Sequence, residues 1–303
     1  MADGRFPRYV VFGEALTDMI RQDDGTWHAH PGGSCWNVAR VGARLGVHTG
    51  YAGAVSKDIF GDEIAEAGAQ AGLDARFLQR ADAPPFIAMV TSRHPPRYVF
   101  LGENSADLHF QPARLPEGWI EDAEIVHLGG LALARPPLAQ RLVEQALTAR
   151  CAGRRIAFDP NFRNEMRDPS YQPVFRQVVA IANHIKVSDE DLEGLFPGLA
   201  PRDAVAELRA IAPDAEILLT RGARGLCLIR GEHVLEAPAR RVDVADTVGC
   251  GDAAMAGWIS GKLLYPEMPA HRQLARIATV AAVAAMHPGP YAPSAREVDA
   301  MLD

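Results

Sequence analysis

The sequence predicts an α/β fold with a mainly parallel central sheet. Three observations carry that reading. From Ala123 onward, strand-like and helix-like runs alternate, the pattern of a parallel sheet with helices on both faces. Polar or glycine-rich segments follow the apolar strand runs, which is where such folds place ligands. The chain has 303 residues, 48% hydrophobic and 23% charged, enough for one large core and ordinary for a soluble globular protein.

In chain order, Tyr9–Gly13 reads as a buried strand, with Glu14 to Asp18 at its end. Asp18 alone would pass for a surface turn residue. Pro31-Gly32-Gly33-Ser34 feeds a small-residue helix containing Asn37, which suggests backbone pressed close to a partner. Phe86–Ser92 and Arg97–Leu101 read as a hairpin turning at His94-Pro95-Pro96, and Trp27–His30 as a further strand. Strands follow at Ile125–Leu128, Arg155–Phe158, His184–Val187 and Ile217–Leu219, with helices at Pro136–Cys151 and Gln172–Asn183. Gly225–Ala237 reads as a hairpin turning at Arg230-Gly231-Glu232, and His287-Pro288-Gly289-Pro290 stops an Ala-rich helix.

Composition narrows the function. A net charge of −7 argues against a general nucleic-acid binder. Cys35, Cys151, Cys227 and Cys250 lie far apart without metal-type spacing, as expected of reduced thiols in a cytoplasmic protein. Met1 to Val10 has no apolar core of a signal peptide, and the longest apolar run, Ile277–Met286, is too short to span a membrane. No Gly-Xaa-Gly-Xaa-Xaa-Gly follows the first strand, which disfavours a dinucleotide-binding oxidoreductase.

The stretch with the most chemistry is Asp246-Thr247-Val248-Gly249-Cys250-Gly251-Asp252, followed at once by a helical segment. Glycines let backbone N–H groups turn inward, and a helix start adds unpaired N–H groups and a positive dipole end. Together they make an anion hole suited to phosphate. Asp252 would repel a phosphate, so its place there makes sense if it takes a proton from an attacking hydroxyl. An ordinary loop with a capping aspartate is the plain alternative. A thiol at a helix N-terminus is expected to have a lowered pKa, so Cys250 is expected to react with thiol reagents, unless it is buried.

The run resembles the C-terminal signature of the ribokinase-like (PfkB) carbohydrate kinases, Asp-Thr-Xaa-Gly-Ala-Gly-Asp, with Cys250 where the family usually has Ala. The resemblance covers nearly the whole chain. It implies one ribokinase-like three-layer α/β/α domain over residues 1–303, with a small β-sheet lid from about 14–31 and 84–110. Gly249, Cys250 and Gly251 would then stabilise the transferring phosphoryl group, and Asp252 would be the base. Asp18, Gly32, Gly33 and Asn37 resemble the family's sugar site. Asp159-Pro160-Asn161-Xaa-Arg163 resembles a run of fructokinases and 2-keto-3-deoxygluconate kinases, with Arg163 on a phosphate or a substrate oxygen. Ser188, Thr220, Gly222 and Gly225 resemble nucleotide-loop positions. Ser188-Asp189-Glu190-Asp191 departs from the family's Asn-Xaa-Xaa-Glu, leaving Glu190 or Asp191 to support Mg²⁺ through water.

The reading that results is an ATP-dependent sugar kinase most like a fructokinase, using Mg²⁺. Some members are activated by K⁺ near the position of Asp246, and a homodimer through the lid is an open expectation for this chain. A 2-keto-3-deoxygluconate kinase, a ribokinase or a nucleoside kinase of the same fold are the alternatives, and a sugar-binding regulator is the non-enzymatic one.

Overall fold

The computed structural model describes residues 5–93 and 96–302, so the expected hairpin tip at His94-Pro95 and the first four residues lie outside the described ones. Nine strands form the main sheet and four a smaller one. In chain order they are β1 (Tyr9–Phe12), β2 (Leu16–Arg21), β3 (Trp27–Gly32), β4 (Thr49–Ser56), β5 (Leu78–Ala81), β6 (Ile87–Arg93) and β7 (Pro96–Leu101). Then come β8 (Ile125–Gly129), β9 (Arg155–Asp159), β10 (His184–Ser188), β11 (Glu216–Thr220), β12 (Leu226–Arg230) and β13 (His233–Ala237). The main sheet runs β13-β12-β11-β10-β9-β8-β1-β4-β5, with every pair parallel except β11–β12 and β12–β13 at one edge.

Burial explains the strand sequences. β1, β4 and β8 are buried along their whole length, and their continuous apolar runs suit strands covered on both faces. Successive side chains point to opposite faces. Val10 and Phe12 therefore join one core, while Tyr9 and Val11 join the other.

The helices are α1 (Ser34–Arg44), α2 (Ile59–Ala71), α3 (Trp119–Asp122), α4 (Leu138–Cys151), α5 (Tyr171–Ile181), α6 (Asp189–Leu195), α7 (Pro201–Ile211), α8 (Cys250–Leu264), α9 (Ala270–Ala285) and α10 (Ala295–Leu302). Residues of α4, α5 and α7 cover the Val10 face, and residues of α1, α8 and α9 the Tyr9 face, which gives three layers. Local chemistry sets several boundaries. Asp58 caps α2 by accepting from the Phe60 and Gly61 amides, and left-handed Gly72 ends it. Pro201 opens α7, a helix the sequence reading had not singled out.

The small sheet runs β3-β2-β6-β7, and β2 follows β1 after three residues. The chain thus leaves the main sheet at Phe12 and enters the lid at Leu16. Leu16, Phe86, Ala88 and Leu131 form a separate buried cluster beneath the lid. Arg135 ties lid to body: its Nη2 donates to the Gly102 carbonyl at 2.7 Å, and its guanidinium lies 4.1 Å over the Phe86 ring. The lid thereby stands over the C-terminal ends of the parallel strands.

Candidate active site

Gly249 precedes α8 in the left-handed region, with φ 79°. A Cβ there would sit 2.8 Å from Pro290 Cα, so both conformation and packing demand glycine. Asp246 fixes the loop from within: it accepts from the Val248 amide and, across the chain, from the Gly289 amide, each at 3.0 Å. The Cys250 amide donates to the Thr247 carbonyl at 3.3 Å, and the Gly251 and Asp252 amides that follow are the ones a helix start leaves without an intrahelical partner.

Asp252 lies in the first turn of α8 and is buried. Its Oδ1 accepts from Ser34 Oγ at 2.7 Å, and its Oδ2 from Asn37 Nδ2 at 2.9 Å. Both donors come from α1, packed directly on α8. Burial pushes the Asp252 carboxyl up, against the hydrogen bonds from Asn37 and Ser34 and the charges of Lys186 and Arg163. A carboxylate held in one orientation with raised proton affinity suits a general base. Asn37, expected on the sugar, spends its amide N–H₂ on Asp252; its Oδ1 is buried without a protein partner and is still available to a hydroxyl. Ser34 was not anticipated, although it follows directly on Gly32-Gly33.

Across from Asp252 stand two further acids. Asp18 lies on lid strand β2, and burial pushes it up to about 7, against the pull of Arg163. Glu14, in the turn between β1 and β2, accepts from the Ala132 amide at 3.1 Å and is also lifted to about 7 by burial. The glycines explain themselves here. A Cβ on Gly32 would collide with Asp18 Oδ2, and one on Gly33 (φ 104°) would lie 2.7 Å from the Glu14 carbonyl. Arg163 reaches this cluster from the end of β9, with its guanidinium 5.5 Å over the Tyr98 ring of the lid. Its Nη1 already donates to the Asn161 and Phe162 carbonyls.

Ser188 and Thr220 end adjacent parallel strands in register. Gly222 is exposed, with open space around its Cα. Gly225 differs: a Cβ there would collide with the Ala237 carbonyl, so packing against β13 explains the residue. Of the two metal candidates, Glu190 is exposed on the first turn of α6. Asp191 is buried and fully engaged: its Oδ1 accepts from the Phe162 amide and its Oδ2 from the Ser188 amide, each at 2.7 Å, completing a capping box. Among the described residues no group of three or more His, Cys, Asp or Glu could hold a metal ion.

At Cys250 burial opposes the helix dipole. Burial pushes its thiol up to about 12, with the Asp252 and Asp246 charges acting in the same direction. These outweigh the helix dipole that the sequence reading relied on. Wild type and Cys250→Ala are therefore expected to lose activity equally slowly in iodoacetamide at pH 8. Exposed Cys151 takes most of the label. Rapid inactivation of the wild type alone would contradict this.

The site thus joins a fixed buried carboxylate, a glycine-lined helix start and a lid bearing a second carboxylate. The family model "pfkB family carbohydrate kinase" matches residues 7–296. A fructokinase of Klebsiella pneumoniae is 31% identical over 257 residues, 83% of either chain. An aminoimidazole riboside kinase of Salmonella typhimurium is 30% identical over 82% of this chain and 78% of that one. The crystal structure of a fructokinase with bound ATP from Xylella fastidiosa superposes with TM-score 0.90 at 26% identity, covering 98% of each chain. The main sheet, the lid and these likenesses agree: the fold is ribokinase-like, and the chain belongs to the pfkB family of carbohydrate kinases.

Proposed function

We propose that this kinase transfers the γ-phosphoryl group of Mg·ATP to a primary hydroxyl of a small neutral sugar, fructose in the first place. The observation that carries the reading is Asp252, held by Ser34 and Asn37 at the start of α8. The sugar hydroxyl gives its proton to Asp252 as its oxygen attacks. The amides from Gly249 to Asp252 stabilise the charge spread over the transferring group. Asp18 accepts hydrogen bonds from other sugar hydroxyls, and the Asn37 Oδ1 takes one more.

Charge favours a neutral acceptor over a sugar acid. Glu14, Asp18 and Asp252 face one another, and on the sugar side Arg163 is the cation near Glu14 and Asp18, partly satisfied by its own backbone. A substrate carboxylate would meet more repulsion than attraction. The relatives named fructokinase support fructose, and the riboside kinase at 30% identity keeps a riboside as the second reading. A coupled assay over fructose, ribose, 2-keto-3-deoxygluconate, aminoimidazole riboside and nucleosides tests this. Fructose is expected to give the highest kcat/KM; a keto-deoxy acid in first place would overturn the neutral-sugar reading.

Mg²⁺ keeps several waters and takes few protein carboxylates when phosphates are present. Exposed Glu190 suits such an ion as its carboxylate, through water. Bound Mg²⁺ supplies charge neutralisation on the phosphates. A K⁺ ion beside Asp246 would stiffen a loop that the Val248 and Gly289 amides already hold, and no step depends on it. Glu190→Ala is expected to raise the Mg²⁺ concentration for half-maximal activity several-fold. Asp191→Ala should instead lose stability, on the order of 3 kcal/mol, because it leaves Lys186 and two amides short of a buried partner. Magnesium titrations and thermal melts of both variants distinguish the roles; a reversed pattern would return the metal to Asp191.

A further inference from the structure

Lys186 is a group at the site to which the reaction as described gives no part. It sits on β10, two residues before Ser188, and is 3% exposed. Its Nζ lies 3.1 Å from Asp159 Oδ2, 3.3 Å from Asp159 Oδ1 and 3.7 Å from Asp191 Oδ2. A Cβ built on Gly251 would sit 3.1 Å from that same Nζ. The ammonium therefore lies against the first turn of α8, beside the anion hole, in space that a side chain at 251 would take.

Its charge is permanent. Burial pulls a lysine down, but Asp159, Asp191 and Asp252 outweigh burial and raise Lys186 above its ordinary value. Asp191 has its own amide partners, so Asp159 is the carboxylate that seats the cation.

We propose that Lys186 is a positioning residue for phosphoryl transfer: a fixed buried cation, seated by Asp159 against Gly251, that supplies positive charge behind the Gly249–Asp252 turn. A helix start provides roughly half a charge at its amides, and the Lys186 ammonium lies close behind them. The same charge helps keep Asp252 ionised. Titratable or charged groups facing Asp252 are Glu14, Asp18, Cys35, Tyr98, Asp159, Arg163, Lys186 and Cys250, and the cations among them are Arg163 and Lys186. Lys186 also gives a reason for glycine at 251 that the phosphate alone does not.

The proposal rests on Asp252 being the base, and its test separates the two. Lys186→Met removes the charge at similar length but strands Asp159, so it is paired with Lys186→Met/Asp159→Asn, in which Asp191 keeps its amide partners. Melting temperature, kcat, the KM for sugar and the pH profile of kcat/KM are measured for each. In the double variant kcat is expected to fall at least about tenfold with the sugar KM nearly unchanged. The acid limb of kcat/KM should move to higher pH by about one unit, because removing a cation favours protonated Asp252. Gly251→Ala leaves every charge in place and only displaces the ammonium, so it should move the limb the same way by less. A folded double variant with wild-type kcat and a wild-type acid limb would overturn the proposal. Failure of the base assignment shows elsewhere, as retained turnover in Asp252→Asn.

Discussion

Asp252→Asn is expected to fold, bind both substrates and lose about 10²–10⁴-fold in turnover. The variant is isosteric. Its carbonyl oxygen can accept from Asn37 Nδ2, and its N–H₂ can donate to the Ser34 hydroxyl, which accepts as well as donates. Both contacts with α1 thus survive with roles exchanged, so thermal stability should change little. What is lost is the proton acceptor. Coupled-assay kcat, a thermal melt and calorimetric ATP binding together make the check. Turnover within about tenfold of wild type would mean that another group, or solvent, removes the proton. In the wild type the burial of Asp252 has a further effect: kcat/KM should decline with acid at a pH above the ordinary carboxylate range.

Asp18→Asn is expected to weaken sugar binding and strengthen the empty protein. Two hydrogen bonds to a carboxylate become bonds to an amide, each weaker by roughly 1 kcal/mol or more, so the sugar KM should rise by about 10–10²-fold with a smaller effect on kcat. Stability moves the other way. The folded-state value of Asp18, about 7, lies above the ordinary 3.8. A raised carboxyl contributes stability below its unfolded value, and that contribution is lost as pH rises through the folded value. Above neutrality the wild type therefore carries the full penalty of a desolvated charge, which Asn does not have. Because Asp18 is only partly covered, the gain is taken as ~1–2 kcal/mol rather than the whole shift. Melts without sugar at pH 8 and pH 4 test the sign: the variant should melt higher at pH 8, and the difference should shrink at pH 4. Equal melting at pH 8 would remove the idea of a strained lid carboxylate.

Residues whose chemistry needs particular neighbours in sequence were legible. The Gly249–Asp252 run, Gly32-Gly33 and the strand–helix alternation each show local spacing. What the sequence concealed depends on neighbours across the sheet. Lys186 in His-Ile-Lys-Val-Ser reads as one polar residue in a strand; its meaning comes from Asp159, one strand over and 27 positions away. Glu14 is similarly silent until Ala132 and Arg163 come near. The capping role of Asp191 and its burial likewise emerge only on folding. The desolvation of Cys250 is hidden in the same way, since a dipole can be read from position but desolvation cannot.

Glu14 and Asp18, each lifted to about 7 by burial, make the sugar side of the site a store of protons. Near neutrality the molecules are a mixture, and those with Asp18 ionised grip a sugar's hydroxyls best. Binding selects them, so each capture of substrate expels a fraction of a proton to solvent, and affinity scales with the competent fraction. Mild acidification would then loosen the hold on substrate as well as slow the transfer step.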